Sequence, residues 1–251
     1  MPAARGRLYG LGVGPGDPEL LTLKALRLLR AAPVVAYPAP EFGNSFARAI
    51  VDSRLDAGQR EIAIRIPMRP GPPPGAVYDA AAAALAAELD QGDDVALLCQ
   101  GDPFFYGSFS HIFARLTGRY RIEIVPGVSS LTACAAAAYA PLVAGDEGLA
   151  VVPATLGEAD ITRRLAEADN TAIVKLGRHF PKVRRVLVEL GLLDSARYVE
   201  RAGLPSQRVA PLACVHADDV PYFSMALIRR RREIECAVSG VSLRTYDPSR
   251  V

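Results

Sequence analysis

The sequence predicts an α/β protein of two α/β domains, the first built on a five-stranded, mainly parallel sheet. Three observations lead there. Short apolar runs of strand type alternate with helix-patterned segments through the first half of the chain. Several of those runs end in glycine or proline bends, such as Gly14-Pro15-Gly16, Pro38-Ala39-Pro40 and Gly101-Asp102-Pro103. The pattern changes after Pro126-Gly127, where an Ala-rich segment opens a second series of strands and helices. At 251 residues the chain has room for one large domain or two medium ones. The domains are placed at residues 1–128 and 129–251, with the boundary free to fall anywhere from Val125 to Gly145.

Residues 7–13 give the first strand, with Leu8, Tyr9, Leu11 and Val13 between glycines. Asp17 and Pro18 suit the N-cap and first position of a helix, and residues 19–32 carry a leucine stripe at helical spacing. Residues 33–37 are a second strand, which Pro38-Ala39-Pro40 ends. Residues 46–55 read as helix, 61–66 as an alternating isoleucine strand, and 70–75 as a proline-rich loop. Residues 77–89 are an Ala-rich helix, alanine being the best helix former. A fourth strand at 95–99, a helix at 109–116 and a fifth strand at 121–125 complete the first series. Beyond the boundary, helices are expected at 131–140, 161–168 and 183–190. Strands are expected at 149–152, 171–174, 198–199, 209–215, 225–228 and 237–238.

Composition narrows the function classes. Half the residues are apolar, 22% are charged, and the net charge is +2, a weak footprint for nucleic acid. The run Arg229-Arg230-Arg231-Arg232 is a solvated face before it is a nucleic-acid patch. Cys99, Cys134, Cys214 and Cys236 make no Cys-x-x-Cys pair, and His111, His179 and His216 are scattered, so no metal site is expected. The thiols read as reduced, in a cytoplasmic protein. Residues 1–7 are not followed by an apolar core of signal-peptide length, and the apolar stretch 131–143 is too short to span a bilayer.

Gln100-Gly101-Asp102-Pro103-Phe104-Phe105-Tyr106-Gly107 is the stretch that organises the rest. Gly101 permits a sharp turn or the close approach of a ligand, and Pro103 pushes Asp102 toward an extended backbone. Asp102 is thereby a carboxylate at the carboxyl end of a parallel strand, the edge where open α/β sheets bind ligands. Ordinary turn chemistry is the competing reading. The first glycine loop is not a dinucleotide cradle. Gly10-x-Gly12 needs a glycine where Pro15 stands, and Gly12-x-Gly14 needs one at Asp17. No Walker loop and no G-x-S-x-G elbow exists. Ser129 or Ser130 either caps a helix or meets a ligand. Arg178 and His179 either meet carboxylates or belong to a solvated loop.

The segment Leu8-Tyr9-Gly10-Leu11-Gly12-Val13-Gly14-Pro15-Gly16-Asp17-Pro18 resembles the opening of the tetrapyrrole methylases. Gly101-Asp102-Pro103-Phe104-Phe105-Tyr106-Gly107, Val125-Pro126-Gly127-Val128-Ser129-Ser130 and Glu200-Arg201-Ala202 resemble its later motifs, in order. Within the family, Val35-Ala36-Tyr37-Pro38, Gly107-Ser108-Phe109 and Lys175-Leu176-Gly177-Arg178-His179-Phe180 are most similar to the precorrin-2 C20-methyltransferases. The resemblance implies S-adenosylmethionine as methyl donor and S-adenosylhomocysteine as product. It also implies a tetrapyrrole substrate, a ligand cleft between the domains, and a homodimer. Carried over by motif, methyl-donor contacts fall on Pro15, Gln100, Gly101, Asp102, Phe105, Ser129, Ser130, Leu176, Ala202 and Ala226. Arg65, Arg69, Arg178 and His179 are candidates for substrate carboxylates. No catalytic base is assigned, because Pro38 stands where the uroporphyrinogen methylases carry an acid. A cobalt-bearing substrate, another ring position, or a non-catalytic tetrapyrrole or nucleic-acid binding module are the alternatives.

Overall fold

A computed structural model describes residues 5–67 and 75–230 and divides the chain into two units, residues 1–130 and 131–251. In the first, the apolar runs become β1 (Arg7–Gly12), β2 (Val34–Pro40), β3 (Arg60–Ile66), β4 (Val95–Cys99) and β5 (Arg121–Val125). They pair in the order β3-β2-β4-β1-β5, every pair parallel. A parallel sheet needs cover on both faces. Here α3 (Gly75–Asp90) and α4 (Phe109–Leu116) cover one face, packing on Leu8, Val34, Val95 and Leu97. On the other face lie α1 (Leu23–Ala31) and α2 (Phe46–Ile50), against Leu11, Val35, Ala96 and Leu98. Strand β4 is buried along its whole length, which is why it reads as an unbroken apolar run. The Ala-rich α3 docks through Tyr78, Ala82, Leu85 and Leu89, a stripe of helical period.

Three sequence expectations shift here. The helix expected from residue 19 begins at Leu23, because Asp17 caps only a 3-10 turn, Pro18–Leu20. Leu21 then returns to extended backbone, and the Thr22 hydroxyl accepts the Ala25 N–H at 3.1 Å to start α1. Second, β2 runs on through Pro38 and Pro40, paired with β3 as far as Pro40↔Ile66. Its pairing with β4 stops at Ala36, so the prolines fall where one side of the strand has no partner strand among the described residues and no ladder bond is lost. Third, the helix expected over 46–55 stops at Ile50, and Asp52–Arg54 continues as a 3-10 turn.

The second unit contains α5 (Ser130–Ala137), β6 (Leu149–Pro153), α6 (Glu158–Glu167), β7 (Asn170–Val174), α7 (Phe180–Glu189), β8 (Ala196–Glu200), β9 (Arg208–Pro211) and β10 (Ser224–Arg229). Its sheet order is β6-β7-β10-β8-β9; only β6 and β7 run parallel. Helices α6 and α7 bury Ile161, Leu165, Phe180, Val183 and Leu187 against Val152, Ile173, Tyr198 and Ala226. Cys134 of α5 lies against the opposite face, with Val199, Met225 and Leu227. The strand expected over 209–215 ends at Pro211 and turns into a 3-10 segment, Leu212–Cys214. The strand expected at 237–238 lies outside the described residues. Arg229 pairs with Glu147 at 3.1 Å, and Arg230 donates to the Leu165 carbonyl at 2.7 Å; Arg231 and Arg232 lie outside the described residues. Among the described residues, no helix is long and apolar enough to cross a membrane, and no cluster of His, Cys, Asp and Glu could hold a metal ion.

Candidate functional site

The first unit's topology marks one sheet edge. Chain leaving β1 and β2 enters helices on one face, and chain leaving β3 and β4 enters helices on the other. Strand β4 lies between β2 and β1, so its carboxyl end is flanked on both sides by turns that depart the opposite way. Such switch points open a crevice at the sheet edge. The loop from Gln100 to Gly107 rises there.

Three strand tips meet backbone to backbone at this edge. Gly14 and Gly101, both left-handed at φ +79° and +68°, exchange two hydrogen bonds of 3.3 and 2.7 Å. Gly127, after β5, lies so close that a Cβ added to it would sit 2.1 Å from the Gly101 carbonyl oxygen. Asp102 ties the edge together. Its Oδ1 accepts the Phe104 N–H at 2.9 Å and its Oδ2 accepts the Gly127 N–H at 3.2 Å. The carboxylate therefore holds the β4 tip to the β5 tip, and its remaining lone pairs are what a ligand could use. Pro15 is buried directly behind Gly14, while Gln100, Phe105, Ser129 and Ser130 are half-buried. Ser130 opens α5, with its N–H beside Gly101. The loop then turns through Tyr106, a non-glycine residue at φ +55°, whose ring meets Phe105 edge-on at 5.0 Å. The Phe104 ring, half exposed, lies against Phe109 and Phe113. Burial pushes the Cys99 thiol beneath this loop far up, so it stays protonated.

Of the residues expected to meet substrate carboxylates, Arg65 donates to the Pro40 and Gly43 carbonyls at 3.1 and 2.9 Å, strapping the loop after β2. Arg69 lies outside the described residues. Arg178 is exposed. His179 is half-buried, and burial, then Lys182 and Arg178, hold its imidazole below the usual value, favouring the neutral ring. Its cationic role therefore needs a carboxylate partner to restore the proton.

In the second unit the expected contacts cluster at one edge of the sheet, but their side chains face inward. Leu176 and Ala226 are fully buried in the core beneath α6 and α7, and Ala202 is buried beside Val199 and Met225. Only backbone is left to offer at these positions. That backbone is strained: Lys175, after β7, and Arg201, after β8, are non-glycine residues at φ +58° and +51°. Such conformations cost about 1 kcal/mol or more each and concentrate at functional sites. Neither was visible in the sequence, because no glycine marks them. Tyr198, Glu200 and Ser224 are buried polar residues near these turns, and only Glu200 stood in a sequence motif, Glu200-Arg201-Ala202.

In the first unit, strand tips meet at glycine turns without the glycine spacing of a phosphate cradle, at the carboxyl edge where open α/β sheets bind ligands. Residues 7–213 match the family of tetrapyrrole (corrin/porphyrin) methylases, and the chain belongs to that family. It is 47% identical to the cobalamin biosynthesis protein CobIJ of Mycobacterium tuberculosis (strain ATCC 25618 / H37Rv), over 96% of this chain and 50% of that protein. It thus spans about half the length of that relative. It is 42% identical to the precorrin-2 C(20)-methyltransferase of a Sinorhizobium species, over 89% of this chain and 95% of that enzyme. The solved uroporphyrin-III C-methyl transferase of Thermus thermophilus, complexed with S-adenyl homocysteine, superposes with a TM-score of 0.67 at 26% identity. That match covers 90% of this chain and 98% of the Thermus chain.

Proposed function

We propose that this chain transfers the methyl group of S-adenosylmethionine to C20 of precorrin-2, giving precorrin-3A and S-adenosylhomocysteine in cobalamin biosynthesis. The observation that carries this reading is the 42% identity to the Sinorhizobium enzyme of that name across 95% of its length. The Salmonella typhimurium cobalt-precorrin-2 C(20)-methyltransferase is less similar, at 33% over 98% of its length. The metal-free substrate is preferred on that difference.

The strand-tip edge suits a sulfonium nucleoside. It offers peptide groups and one carboxylate, and it lacks the glycine spacing that would cradle a diphosphate. Bound there, S-adenosylmethionine supplies a methyl carbon already electrophilic, for attack by an electron-rich ring carbon. The protein's part is to align and desolvate. Gly101 and its neighbours Gln100 and Asp102 present backbone and carboxylate to the amino or ribose groups of the methyl donor. Pro15, Phe105, Ser129 and Ser130 border the same edge; Leu176, Ala202 and Ala226 are the second unit's own candidate contacts, where backbone alone is on offer. Arg178, His179, Arg65 and Arg69 are the candidate partners of the ring carboxylates. The working protein is a cytoplasmic homodimer in this reading, which light scattering of the purified chain tests by mass.

Incubation with labelled S-adenosylmethionine and precorrin-2, with and without cobalt, should give a product one methyl heavier from the metal-free substrate. No transfer to either form refutes the reading; transfer to the cobalt form alone replaces the substrate. Calorimetry should show S-adenosylhomocysteine binding abolished by Asp102→Ala, and unchanged affinity would remove Asp102 from the site.

A further inference from the structure

One buried polar chain in the second unit has no place in the reading so far. Glu200 is only 5% exposed, at the carboxyl end of β8. Its carboxylate accepts the hydroxyl of Tyr198, itself fully buried, and the Arg201 guanidinium at 3.4 Å. The Tyr198 hydroxyl also meets Ser224, the first residue of β10. Burial first, then Glu200, pushes that phenol far above its ordinary range, so it stays a neutral donor. Ser224 Oγ donates to the Pro221 carbonyl at 2.6 Å and accepts the Gly177 N–H at 3.4 Å. The chain of contacts closes where the Arg201 N–H donates to the Phe223 carbonyl at 2.9 Å.

These groups cross three adjacent strands in the order β7-β10-β8. At one end stands the strained turn at Arg201, at the other the turn through Lys175 to Gly177. A left-handed arginine persists only where its surroundings over-determine it. A nearly buried carboxylate is costly unless its hydrogen bonds are complete, so this one fixes its partners firmly.

We propose that Glu200 is a positioning residue of the methyl-donor site, holding the Arg201–Ala202 and Leu176–Gly177 backbone, through Tyr198 and Ser224, in the conformation that receives the ligand. This deepens the proposed function and rests on it, since Leu176 and Ala202 matter only if the methyl donor binds there. Glu200 touches no ligand itself in this proposal; it acts through the two turns.

The test is calorimetric titration of the full chain with S-adenosylhomocysteine, alongside steady-state kinetics and a circular dichroism check of folding. Loss of hydrogen bonds to a charged group predicts that Glu200→Ala raises Kd about tenfold or more. KM for S-adenosylmethionine should rise in step, with kcat within about threefold of wild type. Glu200→Gln keeps an acceptor for Tyr198 and should recover at least half of the loss on a logarithmic scale. Kd within about twofold of wild type in Glu200→Ala overturns the proposal. So does a loss that glutamine does not recover, or one confined to kcat. If Glu200→Ala does not fold, Tyr198→Phe takes its place. It should raise Kd about threefold, and an unchanged Kd overturns the proposal equally. Wild-type protein that takes up no S-adenosylhomocysteine overturns the parent reading and this one with it. Wild-type binding with unaltered variants overturns this one alone.

Discussion

Replacing Gly127 by alanine adds one methyl group where three strand tips already touch. The new Cβ would lie 2.1 Å from the Gly101 carbonyl oxygen and 2.7 Å from Gly12 Cα. Ordinary contact begins near 3.4 Å, so backbone must move by more than an ångström, and every neighbour is main chain held in the sheet or its turns. Overpacking typically costs about 1–3 kcal/mol, and a site with no flexible side chain to yield belongs at the upper end. The shift also stretches the Gly127 N–H bond to Asp102, already 3.2 Å long, and a hydrogen bond to a charged group contributes about 1.5–3 kcal/mol. With that bond weakened by about half rather than lost, the total is a loss of about 3–4.5 kcal/mol, a large share of the ~5–15 kcal/mol that holds a typical domain. Urea unfolding followed by circular dichroism should show the midpoint of the first unit lowered by roughly 1.5–2.3 M at a slope of ~2 kcal/mol/M. Gly58→Ala is the control: its Cβ meets nothing within 4 Å, and it should stay within about 0.5 kcal/mol of wild type. A Gly127→Ala protein that unfolds at the wild-type midpoint refutes the close-approach account of this edge.

Phe180→Ala should destabilise the second unit by about 3–5 kcal/mol in the same assay, since the ring is fully buried and meets Tyr198 edge-on at 6.2 Å. The folded pKa of His179 is depressed, so the unfolded chain binds the proton more tightly. Its contribution to stability is complete above the ordinary value of about 6.5 and is lost as pH falls from there through the folded pKa. Native stability should therefore rise with pH across that window, and His179→Gln should flatten the rise; an unaltered profile contradicts the desolvation of the ring. Alkylation at pH 8 with peptide mapping should label exposed Cys214 and spare buried Cys99 and Cys134, the latter's pKa being pushed up to about 12. Labelling of Cys134 at the rate of Cys214 would show that face of the sheet to be open.

The architecture was legible where punctuation and burial agreed. Strand 95–99, helix 109–116 and strand 121–125 appear with the bounds the sequence predicts, the first an apolar run, the second an amphipathic stripe and the third an alternating strand. The two α/β sheets follow from the same alternation. Asp17-Pro18 misled because it is a sound start signal for the wrong structure: a single 3-10 turn that Leu21 breaks before Thr22 starts again. Pro38 and Pro40 looked like the end of a strand, since nothing local tells which side of β2 is unpaired. At the candidate site, turns marked by glycine could be read and turns without it could not. Lys175 and Arg201 are left-handed without being glycine, which no local pattern encodes. The inward facing of Leu176 and Ala226 is likewise a property of the packed sheet, not of the motif around them.

The parallel pairing of β1 has a consequence for how the chain is made. Leu8 takes Val95 on one side and Ile122 on the other, so β1 waits over a hundred residues of synthesis before its far flank finds a neighbour. At a synthesis rate of ~5–20 residues per second, that interval is roughly 6–25 s. Throughout it, the backbone N–H and C=O groups on that flank of β1 have no strand to pair with. Gly14 can meet Gly101 once β4 is in place, but Gly127 joins them only when β5 closes the sheet. The three-tip junction is thus among the last things this unit acquires during synthesis, and a chaperone that shields the open flank of β1 would raise the yield of folded protein.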